Sequence, residues 1–282
     1  MKKFLIIICK TYNILKNKIY LEQYNLYIVK YIYDYFKDID GGGDFMSSFI
    51  KKVTEKYNLN KIKWMDLVWF IILPIININY IIAGGLAKSG KDISLAIDKE
   101  IPYVSLFIFP YIYWYVFVFL GLVFFLAKDR KKFLRALMAI YIGMCICYLF
   151  YYFYPVEMSR PVIANDTIPN RIVNLIYKMD RPFNCFPSIH VLNTYIIMRF
   201  TKIKENKSWF IYTVISGFLI ILSTLFIKQH FVLDGVAAII IAELVILINN
   251  KIQDKYIEKA LDLPYKISER IKEKIDIPVN FK

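Results

Sequence analysis

The chain has 282 residues, 58% of them hydrophobic, and its formal net charge is +14 at neutral pH. The apolar share is well above that of a soluble domain and indicates an integral membrane protein. The lysines and arginines lie between apolar runs, where membrane topology explains them, so nucleic acid is not an expected partner.

Residues 1–62 are predicted to form an amphipathic N-terminal segment, cytosolic or at the membrane interface. Apolar residues recur at helical spacing among lysines, and three glycines at 41–43 separate two such stripes. Two interpretations stay open for this segment. Its helices lie on the membrane surface or pack against the core, or the segment is a lysine-rich cytosolic lead-in.

Residues 63–250 are predicted to form an all-α core of six transmembrane helices. An apolar run of ~20 residues is long enough to cross a bilayer. The six runs are residues 64–84, 101–127, 136–156, 186–200, 208–227 and 231–250. Residues 251–282 are charged, with a helical pattern that Pro264 interrupts, and are predicted to be a cytosolic tail.

The charges of the connecting segments predict the orientation of these helices. Lysine and arginine are concentrated after the second and fourth runs, whereas residues 85–100 balance bases against acids. The positive-inside rule therefore places both termini in the cytosol. The loop 157–187 and the turn 228–230 then share the extracytoplasmic face of a cell membrane, and both histidines of the chain reach that face.

These two histidines predict a paired site. His230 and Asp234 are four residues apart, hence on one face of a helix, where a carboxylate orients an imidazole and stabilises its cation. His190 follows Pro187 at a predicted helix start, where free amides suit a phosphate. Side chains of the same face are candidate phosphate ligands: Arg160, Lys178, Arg181 and Ser223. Arg160 as a loop anchor, and Lys178 and Arg181 as surface residues, remain open alternatives.

These residues resemble the type 2 phosphatidic acid phosphatase superfamily of membrane phosphatases and phosphotransferases. Its motifs, K-x6-R-P, P-S-G-H and S-R-x5-H-x3-D, occur in six-helix membrane proteins whose site is at the outer surface. Arg160-Pro161 is similar to the end of the first motif and Pro187-Ser188-Ile189-His190 to the second. The stretch from Ser223 to Asp234 is similar to the third motif in spacing.

Three positions depart from the family pattern. Phe153 and Thr224 stand where the motifs have lysine and arginine, and Ile189 replaces a glycine. The Pro-Ser-x-His form is similar to the branch that includes inositolphosphotransferase-like enzymes. Lys228 and Lys178 are candidates to replace the missing positive charge.

The resemblance implies a reaction at a lipid phosphate or phosphodiester that uses no metal and no cofactor. His230 attacks phosphorus to form a phosphohistidine, and Asp234 orients it. His190 protonates the leaving oxygen and then activates water or an acceptor alcohol. The phosphate oxygens are held by Arg160 and Ser188, with Ser223 in support.

Three other interpretations stay open. The two histidines and Asp234 are a set that can ligate a divalent metal, although no spacing supplies a further ligand. A lipid transporter or flippase can use a histidine pair as a proton relay. A catalytically inactive family member can serve as a membrane scaffold, which the missing motif lysine and arginine make possible. The lipid substrate, the acceptor and the oligomeric state are left open by the sequence.

Overall fold

The computed structural model describes residue 66 and residues 68–274. This part of the chain is helical, with two isolated backbone bridges and no β-strand, which confirms the predicted all-α class for the described residues. The helices are α1 (Val68–Leu86), α2 (Ala96–Glu100), α3 (Ile108–Lys128), α4 (Arg130–Phe153), α5 (Ile168–Met179), α6 (Ile189–Phe200), α7 (Lys207–Phe226), α8 (Val232–Lys251), α9 (Asp254–Leu261) and α10 (Leu263–Lys274). The predicted segment 1–62 lies outside the described residues.

Five of these segments are long and apolar enough to cross a membrane: α1, α3 with the short 3₁₀ helix before it, α4, α7 and α8. They correspond to five of the six predicted spans. The fourth predicted span contains α6, whose 12 residues extend only ~18 Å at a rise of ~1.5 Å per residue. This is shorter than the ~30 Å of hydrocarbon in a bilayer, so six transmembrane helices are not confirmed.

Helix α6 lies at the centre of the helical core, where it contacts α3, α4, α7 and α8. Glycines allow two of these helices to approach closely. A Cβ on Gly121 of α3 would lie 2.6 Å from Ile197, and a Cβ on Gly143 of α4 would lie 2.8 Å from Leu192. The position of α6, and of His190 in its first turn, is therefore fixed by packing on several sides.

One end of the core carries the lysine- and arginine-rich connections and is called the basic end. The Lys132 ammonium of α4 pairs with Glu205 in the connection from α6 to α7. The Arg135 guanidinium pairs with Asp254, just beyond α8, at 2.6 Å. These contacts join the α3–α4, α6–α7 and α8–α9 connections at the basic end.

The opposite end, called the site end, gathers residues 91–104, 154–188 and 227–231. The Tyr177 hydroxyl of α5 donates to the Ile227 carbonyl oxygen at 2.6 Å. The Val104 N–H donates to the Phe226 carbonyl oxygen at 3.0 Å. Two isolated parallel bridges, Lys91 with Val156 and Val156 with Asn184, join the connecting segments. The long loop and the short turn that carry the predicted site residues therefore meet.

Several helices begin at residues other than those the sequence predicted, and the starts of α4 and α6 have local causes. Helix α4 begins at Arg130, six residues before the predicted span, because Asp129 caps it and basic residues continue the helix beyond the apolar run. Helix α6 begins at Ile189 and not at Pro187, because Ser188 is its N-cap: the Ser188 Oγ accepts from the Val191 N–H at 3.3 Å.

The described residues fall into two compact units, and residues 72–258 form the larger one. In the smaller unit, the Trp69 indole N–H donates to the Leu261 carbonyl oxygen at 3.1 Å. The helical tail is interrupted between α9 and α10, and Pro264 lies in the first turn of α10. The sequence predicted an interruption at this proline.

Candidate active site

His230 lies in the turn between α7 and α8, and only 5% of the residue is exposed. Its Nδ1 lies 2.8 Å from the Cys185 carbonyl oxygen and 3.2 Å from Asp234 Oδ2. Because a carbonyl oxygen only accepts hydrogen bonds, Nδ1 carries the proton in this arrangement. In the neutral ring, Nε2 then has a free lone pair, which a nucleophile or general base requires.

Asp234 holds this geometry from the first turn of α8. Its Oδ2 also accepts from the Phe231 N–H at 2.8 Å, so one carboxylate caps the helix and orients the imidazole. Asp98 of α2 accepts from the next N–H, that of Val232, also at 2.8 Å. The spacing of His230 and Asp234 predicted the first contact, whereas no sequence motif marks Asp98.

His190 lies in the first turn of α6, against two aromatic rings of α3. Its ring centroid is 4.5 Å from that of Tyr111, in a stacked arrangement, and 4.3 Å from that of Trp114. Neither ring nitrogen has a hydrogen-bond partner in the described part of the chain, although the residue is buried. Buried polar atoms usually have partners, so both nitrogens are available to a ligand. Tyr111 and Trp114 belong to no sequence motif, but their three-residue spacing places them on one face of α3.

The structure brings the two imidazoles together, with ring centroids 5.7 Å apart and ring planes at 58°. Two hydrogen bonds fix the chain at the start of α6, one to α8 and one to α4. The Ser188 N–H donates to the Asp234 carbonyl oxygen at 3.2 Å, and the Tyr151 hydroxyl donates to the Pro187 carbonyl oxygen at 2.6 Å. The separation is small enough for one phosphoryl group to reach both rings at hydrogen-bond distance, ~2.6–3.2 Å.

Arg160 is connected to the histidine turn through Gln229. Its Nη2 donates at 2.5 Å to Oε1 of Gln229, the residue before His230. Its Nη1 donates to the carbonyl oxygens of Tyr177 and Asp180, at 3.2 and 2.5 Å. Its Nε is buried and has no partner among the described residues. Arg160 is thus a loop anchor, as one interpretation predicted, and still has a donor to offer a ligand.

Asp180 connects this network to α1, and no sequence motif marks it. Its Oδ1 accepts from the Tyr80 hydroxyl at 2.7 Å, and its Oδ2 lies 3.7 Å from Arg160 Nη2. Burial raises the pKa of the Asp180 carboxyl above its usual range, while the Tyr80 hydrogen bond and the charges of Arg160 and His230 lower it. The hydrogen bond from Arg160 to Gln229, the residue before His230, places the Arg160–Asp180 pair near the histidine turn.

Two predicted serine ligands use their hydroxyls within the fold. The Ser223 Oγ donates to the Ile220 carbonyl oxygen of its own helix at 2.5 Å, so its proton is already engaged. The Ser188 Oγ accepts from the Val191 N–H, which leaves its own proton free to be donated. Of the two hydroxyls, that of Ser188 is the better candidate for a phosphate contact.

Two predicted cationic ligands bind backbone carbonyl oxygens, and a third is exposed. The Lys228 Nζ donates to the Asp98 carbonyl oxygen at 2.9 Å, from a residue with a positive φ of 53°. The Arg181 Nη1 donates to the carbonyl oxygens of Gly84 and Gly85, both at 2.9 Å. Lys178 is exposed near the end of α5. A phosphate contact would require Lys228 and Arg181 to release these carbonyls.

The described residues hold no group of three or more His, Cys, Asp or Glu side chains that is placed to bind a metal ion. The acidic and imidazole groups of the site are instead engaged with backbone atoms, as with Asp234 and Phe231, or stacked on aromatic rings, as with His190. The geometry is that of a pair of nitrogen bases beside an anchored guanidinium.

Replacing Asp234 with asparagine is expected to lower turnover by ~10²–10⁴-fold, because the charge that stabilises the His230 imidazolium is lost. The amide oxygen still accepts from the Phe231 N–H, so the thermal unfolding midpoint in detergent is expected to change little. Asp129→Asn is the matched control, because Asp129 caps α4 at the basic end. Equal turnover of the two variants would contradict the orienting role of Asp234.

A family model described as the PAP2 superfamily matches residues 94–248, more than half of the chain. The matched range contains both histidines, Asp234 and Arg160. No curated protein and no solved structure matches the chain.

Proposed function

The chain belongs to the PAP2 superfamily, whose members are phosphatases and phosphotransferases, and on this premise we propose that it is a membrane enzyme that cleaves a lipid phosphate or phosphodiester without a metal. One observation carries the proposal. The ring centroids of the buried His190 and His230 lie 5.7 Å apart. The His230 ring is oriented by the Asp234 carboxylate and the Cys185 carbonyl, and both nitrogens of His190 lack a hydrogen-bond partner in the described part of the chain.

In the first proposed step, the Nε2 of His230 attacks phosphorus and the bond from phosphorus to the leaving oxygen breaks. His190, in its protonated form, gives its proton to that oxygen, so the lipid alcohol leaves neutral. The Nδ1 proton of His230 stays on the ring, held by the Cys185 carbonyl and Asp234. The positive charge that develops on His230 is stabilised by the Asp234 carboxylate.

In the second proposed step, His190, now neutral, takes the proton of water or of an acceptor alcohol. The oxygen so activated attacks phosphorus, and the bond from phosphorus to His230 Nε2 breaks. Both starting histidines are thereby restored. Hydrolysis and phosphotransfer differ only in which oxygen attacks, and transfer to an alcohol is the outcome expected of the inositolphosphotransferase-like branch.

The nonbridging oxygens of the phosphoryl group are proposed to be held at the start of α6 and by Arg160. The first N–H groups of a helix have no intrahelical acceptor and attract anions. The Ser188 hydroxyl proton lies at this helix start. The buried Nε of Arg160 adds a charged donor whose guanidinium is already anchored, so less conformational entropy is lost on binding.

We extend the proposal to six membrane crossings with both termini in the cytosol. Ser188 lies at the site end and Glu205 at the basic end, so the chain between them passes through the core although α6 is short. The positive-inside rule assigns the basic end to the cytosol. The histidines then face the extracytoplasmic side of the cell membrane, within reach of lipid headgroups there.

The proposal is tested by incubating the purified protein with phosphatidic acid, a polyprenyl diphosphate and an inositol phospholipid, each with and without an acceptor alcohol. Free phosphate and newly formed lipids are measured together. We expect cleavage or transfer with at least one substrate. Movement of a lipid across the liposome membrane without bond cleavage would point to a transporter. A protein that forms neither product and does not bind vanadate would be an inactive scaffold.

A further inference from the structure

Gln229, which directly precedes His230, has one half of its side-chain amide engaged and the other half free. Only 2% of the residue is exposed. Its Oε1 accepts from Arg160 Nη2 at 2.5 Å, whereas its Nε2 is buried without a hydrogen-bond partner among the described residues. A buried amide donor without a partner is unfavourable, so its presence calls for an explanation.

Neighbouring side chains that would otherwise offer donors in this turn are engaged elsewhere. Thr224, at the position of the arginine in the family motif, donates its hydroxyl proton to the Ile221 carbonyl oxygen at 2.7 Å. The ammonium of Lys228 binds the Asp98 carbonyl oxygen on α2. The Gln229 amide therefore leaves a donor in the turn that carries His230 without a partner among the described residues.

The buried donors next to Gln229 point to an anion. The Nε of Arg160, the guanidinium that holds Gln229, is also buried and unpaired in the part of the chain described. The two ring nitrogens of His190 are likewise buried without a hydrogen-bond partner among the described residues. Unpaired donors on Arg160 and on Gln229, the residue before His230, match an oxyanion with several acceptor oxygens.

We propose that Gln229 is a substrate-binding residue whose Nε2–H donates to a nonbridging phosphoryl oxygen beside Arg160. The proposal rests on the phosphoryl transfer proposed above and adds a residue to it. The neutral Gln229 amide then supplies a hydrogen-bond donor next to His230. Thr224 does not supply one, because its hydroxyl donates to the Ile221 carbonyl oxygen.

The isosteric variant Gln229→Glu separates substrate contact from positioning of Arg160. A carboxylate still accepts from Arg160 Nη2 but has no donor for a phosphoryl oxygen. If Gln229 contacts substrate, kcat/KM falls by ~10²–10³-fold, the range for loss of one donor to a developing oxyanion. Binding of vanadate weakens in parallel. If Gln229 only positions Arg160, the new carboxylate still pairs with the guanidinium, so Gln229→Glu loses less activity than Gln229→Met, which lacks the acceptor as well.

Gln253→Glu is the matched control, because Gln253 is exposed beyond α8 and the substitution adds the same charge away from the histidines. Wild-type kcat/KM and vanadate affinity are expected for this control. Wild-type values for Gln229→Glu as well would overturn the assignment of Gln229 and leave the proposed function intact. Absence of phosphate chemistry in the wild-type protein with every lipid would instead reject the proposed function.

Discussion

Replacement of His230 with glutamine is expected to abolish measurable turnover, with a loss of about 10⁴-fold or more. The glutamine amide lacks a basic lone pair, so no covalent bond to phosphorus forms. The glutamine amide nitrogen lies one bond further from the backbone than Nδ1, and rotation of the side chain lets it donate to the Cys185 carbonyl oxygen, which His230 Nδ1 contacts at 2.8 Å. Phosphate release from the best lipid substrate is the measurement.

Loss of activity in this variant must be separated from loss of the fold. Cys145→Ser, an exposed substitution on α4, is the control for handling in detergent and is expected to keep wild-type turnover. The thermal unfolding midpoint of His230→Gln is expected to lie close to that of the control. Substantial turnover by a folded His230→Gln protein would contradict the nucleophilic role of His230.

Replacement of His190 with glutamine is expected to lower turnover of a lipid phosphate by ~10²–10⁴-fold, because the alkoxide must leave without a proton. A substrate with an acidic leaving group, p-nitrophenyl phosphate, needs no proton donor for the first step. Its first turnover is therefore expected to remain fast, whereas the second step stays slow because His190 is also the base that activates water. The expected result is a burst of one p-nitrophenol per active site, followed by slow steady-state release.

The burst distinguishes general acid–base catalysis by His190 from a structural role in its aromatic surroundings. A collapsed site would slow both substrates equally and would give no burst. Equal losses with the lipid phosphate and with p-nitrophenyl phosphate would therefore contradict the assignment of His190. His230→Gln is the reference, because a protein without the nucleophile is expected to show neither burst nor turnover.

The long helices were predictable because apolar runs alone define them. Helix α6 is the exception: its apolar run was predicted to be a complete membrane span, but the helix has only 12 residues. Helix α6 is surrounded by four helices of the core. A buried helix is apolar whatever its length, so hydropathy cannot distinguish it from a complete membrane span. The start of α4 was also misplaced, because the Asp129 cap and the basic turns after it extend the helix past its apolar part.

The candidate site was predictable where its geometry is local. The four-residue spacing of His230 and Asp234 gives their contact directly, since both belong to one turn of chain. Contacts between distant segments carry no such signal: Tyr80 and Asp180, which share a hydrogen bond, are 100 residues apart. For the same reason the sequence could not show that Lys228 reaches the Asp98 carbonyl.

The most direct test of the account is to find where phosphorus is bound during turnover. The wild-type protein is mixed with a lipid substrate radiolabelled in the phosphoryl group, quenched in denaturant and digested for peptide mapping. We predict an acid-labile, base-stable label on the peptide that contains His230, prolonged in His190→Gln and absent from His230→Gln. Label on another residue, or no label in a protein that turns over its substrate, would contradict a phosphohistidine at His230.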